Sequence, residues 1–306
     1  MYLHGTSRIN DRGHLEIGGC DVTDLVREFG TPLYVMDEAL IRQRAREFTE
    51  AFKASGFKFQ VAYASKAFCV MAMCRLAMEE GLSLDVVSDG ELYTALKAGF
   101  PPERIHFHGN NKTPQEIAMG LDANIGCFVI DNFTELYMVN EMAGSKGKKV
   151  KALFRVTPGV EAHTHEYIST GQTDSKFGFD IGNGQAKAAL EQAMLLPNIE
   201  ILGLHSHIGS QIFETEGFRM AAARVAGFAA EIRRELDLTF RVIVMLIIGG
   251  LGSIPGVVAG GFGLGIIESY GALWLGPEHA GTVAFVLLLL LLLFRPNGLF
   301  GRKGFE

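Results

Sequence analysis

The first 240 residues alternate short apolar runs with longer amphipathic stretches, a pattern that predicts strands separated by helices. Six runs have the length of strands: Phe59–Ala64, Leu84–Val87, Ile105–Phe107, Cys127–Ile130, Ala152–Val156 and Ile201–His205. The stretches between and after them have helical periodicity: Val70–Glu80, Gly90–Ala98, Pro114–Leu121, Phe133–Ala143, Gly184–Leu195 and Gly217–Leu236. Because helices of this length form crossovers between parallel strands, we expect a parallel sheet built from βαβ units.

This order of elements favours an α/β fold of the (β/α)8 TIM-barrel type, incomplete because about six strands are evident. Polar residues gather directly after the strands, where such barrels place their functional side chains. An open doubly wound sheet is the alternative. No Gly-x-Gly-x-x-Gly follows the first strand, which argues against a dinucleotide site.

The pattern changes after residue 240. Residues 241–306 contain only four Lys or Arg and three Asp or Glu. Val242–Ile267 is an uncharged stretch of 26 residues, long enough to span a bilayer, and Ala280–Phe294 adds 15 more. The seven leucines of Leu287–Leu293 leave no polar face for solvent. We therefore expect two domains: a barrel over 1–240 and a membrane-type apolar helical segment over 241–306.

Composition narrows the class of protein. The chain has 306 residues, 48% of them hydrophobic, and a formal net charge of −6, which excludes a disordered chain and a basic nucleic-acid binder. Its four cysteines (Cys20, Cys69, Cys74 and Cys127) form no Cys-x-x-Cys pair, so we expect reduced, buried thiols. The barrel is therefore expected in the cytoplasm, with membrane association through residues 242–294.

Several residues at predicted strand ends carry candidate chemistry. Lys66 closes the first strand, where burial would lower the pKa of its amine and suit it to forming a Schiff base. Asp85 and Arg155 lie inside strands and each needs a partner of opposite charge or a hydrogen-bonding group. A polar group that suggests a phosphate or ring contact follows the sixth strand: His205, Ser206, His207, Gly209 and Ser210. Its His-x-His pair lacks a third ligand cluster, so no metal site is predicted.

Seven segments, in this order, resemble the alanine-racemase-like, or fold-type III, pyridoxal-phosphate decarboxylases. They are Tyr63–Ala67, Asp85–Leu92, Lys112–Thr113, Arg155–Pro158, His165–Gly171, Lys176–Gly178 and His205–Gln211. The resemblance covers residues 1–240. Within the family, the stretch from Tyr167 to Gly178 favours the diaminopimelate decarboxylases over the ornithine decarboxylases.

The resemblance implies that pyridoxal phosphate is the cofactor and that Lys66 holds it as a Schiff base. His207 would stack on the cofactor ring and Ser210 would contact its phosphate. Asp85 and Arg155 would belong to the polar shell around Lys66 and the ring. Lys66 and His207 are thus the implied catalytic residues. The implied reaction removes CO₂ from an amino acid, converting meso-diaminopimelate to lysine, and is compatible with a homodimer.

The rest of the chain departs from this family. Its Glu-Pro-Gly-Arg strand and its C-terminal Cys-Glu-Ser-Gly-Asp segment do not follow residue 240, so we expect impaired activity. Residues 249–256 and 294–301 instead resemble the C-terminal end of a branched-chain amino-acid ABC transporter permease. This predicts a chimera joined near Phe240–Arg241. The alternatives to a decarboxylase are a membrane-associated permease fragment and a non-functional fusion.

The junction allows two structures. In the family, a glycine loop after the seventh strand binds the cofactor phosphate through backbone amides. Val242–Ile248 would form a surrogate seventh strand in one structure, with Gly249 and Gly250 facing Ser210 and binding the phosphate. In the other, Val242–Ile267 is one continuous helix. The sequence leaves both open.

Overall fold

The computed structural model describes residues 3–160, 177–209 and 215–249, with side chains of the last range through residue 235. It also describes 264–266, 269–270, 272–274 and 286. The chain divides into two compact units, residues 1–225 and residues 226–306.

A small antiparallel sheet that the sequence pattern did not predict begins the first unit. Its strands are β1 (Arg8–Ile9), β2 (Leu15–Ile17) and β3 (Cys20–Asp21). Helices α1 (Val22–Phe29) and α2 (Glu38–Ala54) follow. Asp21 caps α1, because its side chain accepts a hydrogen bond from the Thr23 amide.

The main sheet is parallel, and all six predicted strands belong to it. They are β4 (Ala62–Ala64), β5 (Ser83–Val86), β6 (Ile105–Phe107), β7 (Cys127–Ile130), β8 (Val150–Thr157) and β10 (Ile199–His205). The short β9 (Phe179–Asp180) pairs with the end of β8. The helices are α3 (Met71–Glu79), α4 (Asp89–Lys97), α5 (Pro114–Ala123), α6 (Phe133–Ser145), α7 (Gln185–Met194) and α8 (Thr215–Gly249).

The strand order is that of a barrel wall. The hydrogen-bonded path runs β10-β8-β7-β6-β5-β4, so that from β4 to β8 every strand pairs with the next one in the chain. A doubly wound sheet would instead reverse direction at a switch point. Among the described strands, β4 and β10 end the path. The sheet therefore has the architecture of TIM-type barrels, which confirms the predicted α/β class.

Strand register separates an apolar face of the sheet from a polar one. Leu84 pairs with Ile105, and Phe107 pairs with Phe128, and all four side chains are fully buried. Residues one position along each strand point to the opposite face. There Asp85 of β5 pairs with His106 of β6, and Arg155 of β8 pairs with His205 of β10. The register thus places four chemically active side chains on the same side of the sheet.

The surrogate seventh strand is wrong, because residues 242–248 are helical. They belong to α8, which runs from Thr215 to Gly249. The helix begins in a polar, amphipathic stretch and meets no proline, and extending an existing helix costs much less than starting a new element. Gly249 is the last residue of α8 and does not follow a strand, which removes the predicted phosphate loop. Gly250 and Ser210 lie outside the described residues.

The predicted membrane segment receives no support. In the part of the chain that the structure describes, no helix is both long enough and apolar enough to span a bilayer. Most of Ala280–Phe294 and of residues 250–267 lies outside the described residues.

Candidate functional site

A cavity of about 320 Å³ lies where the strands of the main sheet end. Six of the side chains that line it are titratable: Lys66, Asp85, His108, Arg155, His205 and His207. They come from β4, β5, β6, β8 and β10 or from the loops directly after these strands. The structure therefore brings together four of the predicted site residues, Lys66, Asp85, Arg155 and His207, from distant positions in the chain.

Lys66 reaches the cavity from a single 3-10 turn, Ser65–Ala67, directly after β4. Its side chain is exposed, which corrects the expectation of a lysine buried at the end of a strand. The turn itself is anchored by Ser65, which is fully buried. Its Oγ lies 2.6 Å from the carbonyl oxygen of Asp85 and 2.6 Å from Oε2 of Glu91. The amine is thus accessible while its backbone is held against β5.

Asp85 has the partners that its place inside a strand requires. Its Oδ1 lies 3.1 Å from Nδ1 of His106 and 3.3 Å from Nε2 of His108. Burial opposes ionisation of Asp85, but the contacts with the two histidines more than offset it. They hold the pKa of this carboxyl well below its usual range. The carboxylate is therefore a fixed negative charge in the wall of the cavity.

The same three residues have the composition of a metal site. One ligand atom from each of Asp85, His106 and His108 lies within 4.8 Å of the others. First-row transition metals accept two imidazoles and one carboxylate. The spacing of these residues in the sequence gave no sign of this cluster, because some twenty residues separate Asp85 from the two histidines. In the described arrangement the imidazoles serve as the partners of the Asp85 carboxylate.

Arg155 is held by an acid that the sequence pattern did not single out. Nη1 of Arg155 donates to Oδ1 of Asp131 at 3.0 Å. The guanidinium lies over the ring of Phe177, with 4.6 Å between Cζ and the ring centroid. The expectation that Arg155 needs an acceptor is confirmed.

The two histidines at the end of β10 have weakly basic rings. Burial is the largest cause and lowers the pKa of His205 to about 3, with the nearby His108 and Arg155 adding to it. Burial, Lys66 and Arg155 also lower the pKa of His207, so both rings are neutral at pH 7. The His205 ring meets that of His108 edge-on, with 4.7 Å between centroids. Nδ1 of His205 and Oγ of Ser206 are buried without a hydrogen-bond partner in the described structure.

The cysteines lie outside this cavity lining. Cys74 and Cys127 are buried as predicted, and burial raises the pKa of their thiols to about 11 and about 12. Cys20 is exposed, which corrects its predicted burial, and Cys69 is half-buried. All four are free thiols.

Comparison with known proteins assigns the chain to a family. Residues 38–255 match the model of the pyridoxal-dependent decarboxylase pyridoxal-binding domain, which covers more than half of the chain. The chain belongs to this family. The match continues past residue 240, where the predicted join lies, and the family's domain binds pyridoxal phosphate.

Two diaminopimelate decarboxylases share high identity with the chain over about three-quarters of its length. Diaminopimelate decarboxylase of Bacillus subtilis is 57% identical over 243 residues, which is 79% of this chain and 55% of the relative. That of Bacillus methanolicus is 60% identical over 225 residues, 74% of this chain and 52% of the relative. The chain thus spans about half the length of the curated relatives it matches.

A solved structure of the same family has the same fold. The diaminopimelate decarboxylase of M. jannaschii in complex with L-lysine superposes with a TM-score of 0.71 at 40% identity. The match covers 75% of this chain and 54% of that one. The parallel sheet and its helices are therefore those of the decarboxylase barrel.

The residues of the cavity fit pyridoxal phosphate. An accessible amine, Lys66, faces the cavity together with a carboxylate, a guanidinium and neutral imidazoles, which suits an aldehyde on a polar aromatic ring. The buried, unpartnered atoms of His205 and Ser206 leave unused hydrogen-bonding capacity beside it.

Proposed function

We propose that this chain binds pyridoxal phosphate through Lys66 and takes part in decarboxylation of an amino acid of the diaminopimelate type. The observation that carries the proposal is the convergence of Lys66, Asp85, Arg155 and His207 on one cavity. Identity of 57% and 60% to two diaminopimelate decarboxylases supports meso-diaminopimelate as the substrate and lysine as the product.

The residues of the cavity have different roles, which follow from their charge and shape. Lys66 offers an exposed amine to a carbonyl carbon, and the anchored Ser65 keeps the start of its turn in place. Asp85 and Arg155 are fixed opposite charges that orient a polar ring and charged substrate groups. The neutral, flat ring of His207 provides a stacking surface. Pyridoxal phosphate, when bound, supplies the electron sink that loss of the α-carboxylate requires.

Reduction with borohydride tests cofactor attachment directly. Protein incubated with pyridoxal phosphate and then reduced should retain a pyridoxyl group that peptide mass spectrometry locates on Lys66. The Lys66→Ala variant should retain none. Lys58→Ala is the matched control, because Lys58 is an exposed lysine that precedes β4 and lies outside the cavity lining. A wild type without label on Lys66, or the same total label in Lys66→Ala as in the wild type, would contradict the assignment.

A decarboxylase assay tests the reaction itself. The purified chain, loaded with pyridoxal phosphate and given meso-diaminopimelate, should release CO₂ and form lysine in equal amounts. Cofactor on Lys66 without lysine formation would confine the proposal to cofactor binding.

A further inference from the structure

Asp131 holds two parts of the cavity wall at once. It follows β7 directly and its side chain is 3% exposed. Oδ1 accepts the hydrogen bond from Arg155, and Oδ2 accepts one from the Gly178 amide at 3.0 Å. Arg155 and Phe177, the neighbour of Gly178, both line the cavity. One carboxylate therefore links the end of β8 to the segment that leads into β9.

A buried ion pair lies beneath Asp131. The Asp131 amide donates to Oε2 of Glu135 at 3.0 Å, and Oε1 of Glu135 lies 2.6 Å from Nζ of Lys112. Lys112 Nζ also donates to the carbonyl oxygens of Gly109 and Val129, each at 2.8 Å. Gly109 is a further residue of the cavity wall. The chain of contacts thus runs from the loop after β6, through β7, to Arg155.

Burying three charged residues in this way costs free energy. Lys112, Asp131 and Glu135 are all buried, and apolar residues of similar size would stabilise a buried position at least as well as an ion pair does. Burial lowers the pKa of Lys112 and raises that of Glu135, and their mutual contact opposes both shifts. These three charged residues hydrogen-bond to Gly109, Arg155 and Gly178. Gly109 and Arg155 line the cavity, and Gly178 is next to the lining residue Phe177. The buried charges therefore fix the shape of the cavity wall.

We propose that Asp131, supported by the Lys112–Glu135 pair, is a positioning residue that fixes Arg155 for cofactor binding. The proposal rests on the proposed function, because it takes pyridoxal phosphate to be the occupant of the cavity. Asp131 acts through Arg155 and is absent from the cavity lining. Neither sequence periodicity nor the family resemblance singled it out.

A double-mutant cycle with a spectroscopic readout separates positioning from general stability. Asp131→Asn should raise the dissociation constant for pyridoxal phosphate about tenfold, since an amide can accept through only one oxygen and carries no charge. In an Arg155→Met background the same change should have an effect of less than about twofold. Asp122→Asn is the matched control, because Asp122 forms an exposed ion pair with Lys146. An equal effect of Asp131→Asn in both backgrounds would overturn the proposal.

A second readout needs no cofactor. Phenylglyoxal modifies accessible arginines, and mass spectrometry reports the rate at Arg155. Asp131→Asn should raise that rate about tenfold in unloaded protein, while the rates at other arginines stay unchanged. An unchanged rate at Arg155 overturns the proposal even if the wild-type chain binds no pyridoxal phosphate, whereas failed loading of the wild type with a raised rate contradicts only the proposed function. If Asp131→Asn does not fold, Lys112→Met/Glu135→Gln replaces it in both experiments, with the same outcomes deciding.

Discussion

Ser65 Oγ lies 2.6 Å from Oε2 of Glu91, so the turn that presents Lys66 is fastened to the first turn of α4. The same Glu91 oxygen accepts the Val87 amide at 3.0 Å. One carboxylate thus fixes the connection after β5 and the residue before Lys66. The position of the amine therefore depends on a contact between the turn after β4 and the start of α4, whose residues Ser65 and Glu91 are 26 positions apart in the chain.

Replacing Glu91 should therefore destabilise the protein. Glu91→Ala leaves the Ser65 hydroxyl and the Val87 amide without this acceptor, and we expect the free energy of unfolding to fall by about 1–3 kcal/mol. Urea denaturation followed by circular dichroism measures the loss. Glu91→Gln should lose less, because its amide oxygen still accepts one hydrogen bond. Glu141→Ala, at an exposed position of α6, should change stability little; a comparable loss there would remove the special role of Glu91.

The lowered pKa of His205 predicts how stability depends on pH. The folded state releases the His205 proton at a pKa of about 3, whereas an unfolded histidine has a pKa of about 6.5. The unfolded chain therefore binds more protons between these values. The free energy of unfolding should fall as the pH drops below about 6.5, by up to about 1.4 kcal/mol per pH unit from this group.

Urea denaturation at a series of pH values between about 7.5 and about 4.5 tests this slope. His205→Gln should flatten it, because glutamine does not titrate. His207 contributes in the same direction, and Asp85 only at lower pH, where its carboxylate gains a proton. A slope identical in wild type and His205→Gln would show that His205 is not buried in its neutral form.

Sequence patterning predicted the sheet well but not everything around it. Apolar runs of three to six residues, separated by helical periodicity, located six strands of the main parallel sheet. The β1–β3 sheet was missed because its strands have only two or three residues and each includes a charged one, so that no apolar run marks them. The stretch 242–248 was ambiguous for a related reason: a short apolar run has the same composition in a strand and in a helix.

The site shows which inferences a sequence allows. A charged residue inside a strand needs a partner, so Asp85 and Arg155 could be recognised without knowing what they contact. Their partners could not, because strand register decides that Asp85 faces His106 and that Asp131 reaches Arg155. His106 and His108 alternate with Phe107, and this period of two was the signal that places both on one face.

Gly178 should tolerate no side chain. Its φ is +72°, and a Cβ there would lie 2.7 Å from the carbonyl oxygen of Arg155. Gly178→Ala should lower the free energy of unfolding by about 1–3 kcal/mol. It should also weaken pyridoxal phosphate binding, because the Gly178 amide donates a hydrogen bond to Asp131. Gly147→Ala separates the two causes, since Gly147 has a φ of +62° with open space around it. Equal losses in both variants would mean that backbone strain alone is responsible.

The stability of a Lys112→Met variant tests the buried Lys112–Glu135 pair without any cofactor. Lys112→Met leaves the Glu135 carboxyl buried and without its cation, and we expect a loss of about 3–5 kcal/mol at neutral pH. Burial already raises the pKa of Glu135, and without Lys112 the hydrogen bond from the Asp131 amide is left to oppose that shift without help from a cation. A folded carboxyl with a raised pKa binds more protons than the unfolded one, so the loss should grow as the pH rises above about 4.3. Urea denaturation near pH 5 and near pH 8 measures this pH dependence, with Lys146→Met as the exposed control.

Lys112→Met/Glu135→Gln should recover part of the lost stability and remove part of its pH dependence. A double variant as unstable as Lys112→Met at both pH values would show that lost packing, and not the unpaired carboxylate, is the cause.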